Sequence, residues 1–210
     1  MKPPSTVQLE SLAVRRIPIP SLQALDTAEF ADGSGRLRIQ FLETGALLAV
    51  RHEGTLINQV MPGPAGDGLF RLFVRTFSDG GDTHSASLVG AGRVFRALDG
   101  RRAYWPPTGD RGVEASAALE LSETDASWTW SVSMENRSDR AVECDVVLGQ
   151  DLGLADEGAV RNNEAYTSHY VDLLPYRTDE YGAMLFARQN QRMHGGRYPW
   201  LGVACTSGAE

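Results

Sequence analysis

Residues Gln150 to Asp172 read QDLGLADEGAVRNNEAYTSHYVD, and few stretches of the chain hold so much potential chemistry. The segment carries the carboxylates of Asp151, Asp156, Glu157, Glu164 and Asp172, the amides of Asn162 and Asn163, His169, and the rings of Tyr166 and Tyr170. Amides and carboxylates hydrogen-bond to vicinal hydroxyls, and aromatic rings cover the apolar face of a pyranose. Asp151, Asp156, Asn162, Asn163, Glu164, Tyr166, His169 and Tyr170 are therefore candidate carbohydrate-binding residues. The competing reading is architectural, with both tyrosines simply anchoring a loop. Two acids of the segment could also act as an acid/base pair of the glycosidase kind, but that depends on a separation the sequence does not state. Asp156-Glu157-Gly158 reads as a turn, with Asp156 able to cap a short helix toward Ala165. Asp151, Asp156 and Glu164 do not follow EF-hand spacing. His52, His84, His169 and His194 show no metal-ligand spacing. No metal site is assigned.

Arg188-Gln-Asn-Gln-Arg192 adds two guanidiniums able to clamp a phosphate or carboxylate. No glycine-rich cradle accompanies them, so surface ion pairing is the plainer reading. Arg188, Gln189 and Asn190 complete the candidate carbohydrate-binding set. Tyr104-Trp105-Pro-Pro107 reads as a loop, its tryptophan either a sugar platform or tucked against a sandwich edge. No nucleophile elbow, P-loop or dinucleotide fingerprint occurs, and no catalytic residue is assigned.

The scaffold holding these residues is written in period-two alternation. Leu37, Ile39 and Phe41 share one face of a strand that follows the turn Ala31-Asp-Gly-Ser-Gly35. Ala46 to His52 and Leu56 to Val60 continue a meander. Met61 to Gly68 reads as a Pro/Gly loop. Leu69 to Phe77 has apolar residues on both faces and is expected between layers. Ser78 to Ser87 reads as a glycine and aspartate loop. Arg93 to Leu98, Val113 to Leu121, Ser127 to Met134 and Ala141 to Leu148 are strands, with Trp128 and Trp130 in the core by period and Val142, Cys144, Val146 and Leu148 facing inward. Tyr181 to Arg188 and Leu201 to Cys205 are two more. No long helical period appears. Roughly nine or ten strands make an all-β, antiparallel sandwich over residues 36–210, preceded by a proline-punctuated arm or linker over residues 1–35.

The 210 residues suffice for one large β domain. A formal net charge of −7 without a basic patch argues against nucleic acid as a partner. Arg15-Arg16 and Arg101-Arg102 read as solvated pairs. Cys144 and Cys205 sit in apolar runs and read as buried free thiols of a reducing compartment, with one disulfide as the alternative. No apolar leader and no stretch of membrane-spanning length occurs, so a soluble, cytoplasmic protein with no membrane partner is expected.

The Gln150–Asp172 segment, followed by FARQNQRMHGGRYPWLG from Phe186 to Gly202, resembles the glycoside phosphorylases related to cellobiose phosphorylase. The nearest branch is the 1,2-β-oligoglucan phosphorylases, whose β domain opens with a stretch similar to LRIQFLETGALLAVRHEGTLINQ from Leu37 to Gln59. The resemblance implies an N-terminal β-supersandwich of the galactose-mutarotase type, joined in the family to an (α/α)-six barrel. It implies cytoplasmic enzymes, often homodimers, that cleave a β-glucan oligosaccharide with inorganic phosphate as co-substrate and release α-glucose 1-phosphate without another cofactor. The family's general acid and phosphate site lie in the barrel, which this chain does not contain. The chain is accordingly expected to be a fragment inactive alone.

Three functions follow as expectations. The first is the N-terminal domain of such a phosphorylase, which packs on the barrel and helps shape the sugar site. The second is a stand-alone carbohydrate-binding module. The third is a mutarotase-like epimerase using His169 with Glu164 as proton shuttles, and it rests on fold analogy alone.

Overall fold

The computed structural model describes residues 27–62, 68–78, 80–162, 164–179 and 181–206, with backbone only at 164, 165 and 194. Strands β1 (Thr27–Ala31), β2 (Leu37–Leu42), β3 (Leu47–His52) and β4 (Thr55–Leu56) form a meander. Strand β5 (Arg71–Phe77) lies between β6 (Thr83–Val89) and a strand from later in the chain, β11 (Glu143–Gly149). Strands β7 (Arg96–Ala97), β8 (Arg102–Asp110), β9 (Val113–Leu121) and β10 (Trp128–Asn136) form another sheet in the order β10-β9-β8-β7. Strand β12 (Ala155–Asp156) returns to the first sheet and pairs with β4. Helices α1 (Glu157–Asn162) and α2 (Glu164–Ser168) lead into a last sheet of β13 (Val171–Thr178), β14 (Gly182–Gln189) and β15 (Trp200–Ala204). Each of the strand pairings is antiparallel. The fold is all-β and sandwich-like.

The alternation along β2 does what its period requires. Leu37, Ile39 and Phe41 are buried in one cluster with Leu72 and Val74 of β5 and Ala115, Ala117, Leu119 and Leu121 of β9. Local chemistry sets the register. The Asp32 carboxylate accepts from the Ser34 hydroxyl at 2.6 Å and from the Leu37 N–H at 3.1 Å, locking the turn before β2. At the next turn Gly45 has φ of 88°, and a Cβ there would lie 2.1 Å from the Arg93 carbonyl oxygen. Only glycine fits.

Several expectations are corrected. The arm does not extend to residue 35: β1 begins at Thr27, pairs with β2 and buries Phe30 in the core. Residues 1–26, including the prolines of the expected arm, and residues 63–67 of the expected Pro/Gly loop lie outside the described residues. The loop read over Ser78 to Ser87 gives way to β6 from Thr83, because hydroxyl-rich Thr and Ser residues pair well along β5 while facing water on the other side. Trp105-Pro-Pro107 is no loop. It lies within β8, where a register shift between Trp105 and Thr108 accommodates the two prolines that cannot donate to the ladder. Trp105 is 0% exposed, which removes it as a sugar platform.

The strands expected over Leu56 to Val60 and Arg93 to Leu98 shrink to the two-residue β4 and β7. Trp128 and Trp130 pack against the core but are only half-buried, since β10 is the edge of its sheet. Val146 and Leu148 stand opposite Val74 and Leu72, yet are 38% and 42% exposed, because β11 is also an edge strand. Both cysteines are free, with Cys144 half-buried and Cys205 exposed, so Cys205 is not the buried thiol expected. Among the described residues no helix is long and apolar enough to cross a membrane.

Candidate functional site

The Gln150–Asp172 segment is two short helices framed by stitches, not a free loop. The Asp151 carboxylate accepts from the Gln59 N–H at 2.7 Å and from the Val60 N–H. The Gly153 N–H donates to the Ile57 carbonyl at 2.8 Å. Leu154 joins the main core, and Val160 of α1 packs with Ala49, Leu56, Ala155 and Met193 in a second cluster. The segment stays close to the first sheet because its few aliphatic residues all point that way. Asp156 ends β12 immediately before α1, and its N–H donates to Met193 Sδ at 3.3 Å.

Glu157 ties α1 to β3. Arg51 donates to both of its carboxylate oxygens, at 2.9 and 3.1 Å, and Arg161 adds a further bond at 2.9 Å. Hydrogen bonding from Arg51 is the main cause holding the Glu157 carboxyl at about 2, below its ordinary 4.5. A depressed carboxylate pKa stabilises the fold fully above 4.5, and that contribution fades as pH falls toward 2. After discounting for solvent screening, Glu157→Gln is expected to cost about 1–2 kcal/mol at neutral pH. The cost should vanish in strong acid. Urea unfolding of both proteins across pH would show it, and a pH-independent difference would be the contrary result.

The remaining candidates of the segment are dispersed. The Tyr170 hydroxyl donates to that of Tyr166 at 2.6 Å, their rings 5.0 Å apart edge to face, and this bond raises the Tyr170 pKa. Asn162, Tyr166 and His169 are exposed. Asn163 lies outside the described residues, as does the Glu164 side chain. Asp172 accepts from the Asn190 amide across the β13–β14 hairpin. Gln189 is 0% exposed, and its uses are internal. Its amide donates to the Gly153 carbonyl at 3.0 Å and the Thr167 carbonyl at 3.1 Å, and its oxygen accepts from the Gln191 N–H at 2.9 Å. Gln189 thus fastens the segment to β14 and is withdrawn from ligand contact. Among the described residues, no group of three His, Cys, Asp or Glu could hold a metal ion.

A concave site exists elsewhere. A cleft of about 490 Å³ opens between the β3–β4 turn, the start of β10 and the segment entering β15. Its walls include Trp128, Tyr198 and Trp200, and its polar lining includes His52, Glu53 and Arg197. Tyr198 and Trp200 are 42% and 56% exposed. The guanidinium carbon of Arg188 sits 5.3 Å from the Tyr198 ring centroid and 5.2 Å from that of Trp200, so this cation braces both rings. Glu53 bonds Arg36 at 3.3 Å and Arg197 at 3.4 Å at the rim. Of the residues singled out from the sequence for binding, none lines this cleft; Arg188 lies against two of its rings. Arg197-Tyr-Pro-Trp200 carried a usable signal, a pair of aromatics flanking a proline. Glu53 and His52 carried none, because a hairpin turn brings them to aromatics far along the chain.

The described residues thus define an antiparallel, sandwich-like all-β domain with an aromatic-lined cleft. Residues 40–210 match the family of the SOGP N-terminal domain, and the chain belongs to that family. It is also 30% identical over 165 residues to a 1,2-beta-oligoglucan phosphorylase of Listeria innocua serovar 6a. That alignment covers 74% of this chain but 13% of the relative, so the chain corresponds to a small part of that protein.

Proposed function

We propose that this domain serves a glycoside phosphorylase acting on β-glucan, in which it shapes and supports the sugar site without performing the chemistry. The observation that carries the reading is the family match across residues 40–210, together with a relative whose name is that activity. The reaction proposed for the whole protein is transfer of a glucosyl unit from a β-glucan oligosaccharide to inorganic phosphate, giving α-glucose 1-phosphate.

A second feature supports a neighbour such as an (α/α)-six barrel. Leu173, Leu174 and Tyr176 of β13 are 55%, 51% and 60% exposed, and they point to both faces of the last sheet. Apolar exposure of that kind marks a surface made to be covered. Asn162 and His169 are exposed and are free to meet either that neighbour or sugar.

The longest polypeptide its gene encodes should release glucose 1-phosphate from β-1,2-linked gluco-oligosaccharides in the presence of phosphate. The 210-residue chain alone should release none. Release by the short chain, or none from the long one, would refute this assignment.

A further inference from the structure

The geometry points to the cleft between the β3–β4 turn and β15 as a binding subsite for a neutral oligosaccharide, with Trp200 and Tyr198 as its platform. This rests on the carbohydrate part of the function proposed above, and it adds a place and a set of contacts. Three aromatic side chains, Trp128, Tyr198 and Trp200, converge on one concave surface. A half-exposed indole beside a half-exposed phenol offers flat apolar area of pyranose size, with a polar edge. Arg188 is a positioning residue: its cation lies against both rings and holds them before any ligand arrives. Pre-set rings lose less freedom when a ligand lands on them.

The polar lining offers both donors and acceptors to hydroxyls. Glu53 pairs at the rim with both Arg36 and Arg197, which places acceptor and donor atoms side by side at the mouth. His52 Nε2, in the same wall, is buried and has no hydrogen-bond partner among the described residues. A polyanionic ligand would meet a chain of net charge −7. A sugar meets no such obstacle.

The backbone of Glu53 supports the same conclusion. It has φ of 48° in a two-residue turn with Gly54, a left-handed conformation where asparagine, aspartate or glycine is preferred. A glutamate held there against its local preference places a carboxylate at the cleft mouth.

The test is calorimetric titration of the 210-residue chain with β-1,2-linked and β-1,4-linked glucotriose, with tryptophan emission followed in parallel. Binding should quench or shift the emission. Trp200→Ala should weaken it about tenfold, in keeping with loss of a stacking platform. Glu53→Asn suits the turn better, so it should keep or raise thermal stability while still weakening binding several-fold. Tyr176→Ala, an exposed aromatic outside the cleft, should bind as the parent does. The inference is overturned if neither trisaccharide binds at millimolar concentration, or if Trp200→Ala and Glu53→Asn bind unchanged. Phosphorolysis by the long polypeptide without such binding would remove the cleft and keep the phosphorylase reading. Cleft-dependent binding without phosphorolysis would do the reverse.

Discussion

Replacing Gln189 with leucine is expected to destabilise the domain by about 3–5 kcal/mol, since a buried carbonyl or N–H left without its partner costs about 1–3 kcal/mol. Leucine nearly matches the volume, so the loss isolates hydrogen bonding from packing. The carbonyls of Gly153 and Thr167 and the N–H of Gln191 would all lose their bonds to this side chain. The damage should also be local. Gln189 joins β14 to the segment between Gly153 and Thr167, so amide exchange there should accelerate more than in β2 or β9. Gln189→Glu offers a signed control. A carboxylate cannot donate to two carbonyls, and burial among them would raise its pKa. Its folded form would then hold a proton that the unfolded chain has released, so stability should recover as pH falls from neutral toward mildly acidic. Leucine should show no such recovery. If Gln189→Leu unfolds at the parent's urea midpoint, the hub role is wrong.

Truncating Trp105 to alanine is the other large effect, about 3–5 kcal/mol on the scale of buried aromatic deletions. Trp105 is fully buried, and its ring centroid lies 5.1 Å from Phe41, 5.2 Å from Phe95 and 5.2 Å from Trp130. These rings come from three different parts of the chain, so the cavity would open where the layers meet. Trp105→Phe separates ring packing from the indole N–H. That N–H is buried without a partner among the described residues, so its removal offsets part of the lost volume, and the cost should fall to about 1 kcal/mol. Urea midpoints of the three proteins decide it. Equal losses for phenylalanine and alanine would mean that the indole itself, and not aromatic bulk, is what the core needs.

The alternating strands were legible because period two is a local property. Val113 to Leu121 could be bounded from the residues alone, since its apolar side chains at odd positions all fall on one face of the strand. Leu37, Ile39 and Phe41 were placed in the core on the same grounds, and antiparallel sandwich architecture followed. Trp105-Pro-Pro107 was misread because prolines normally end strands, whereas here a register shift in the pairing with β9 absorbs them. Strand β13 was missed for a related reason: Pro175 lies in an edge strand, where a missing N–H is tolerated on the unpaired side.

For the site, residue types were informative and partnership was not. Asp151, Glu157 and Gln189 have side chains suited to sugar, yet each is engaged by atoms distant in sequence: Gln59 and Val60, Arg51, and Gly153 with Thr167. Local pattern, acting through burial along a strand, determined the class of fold and the inward faces of β2 and β9. Which polar groups satisfy one another, and which aromatics gather into a cleft, was decided only by the tertiary structure. A hydrogen bond or a shared cavity is a relation between two places, and either place alone looks the same whether or not the other has arrived.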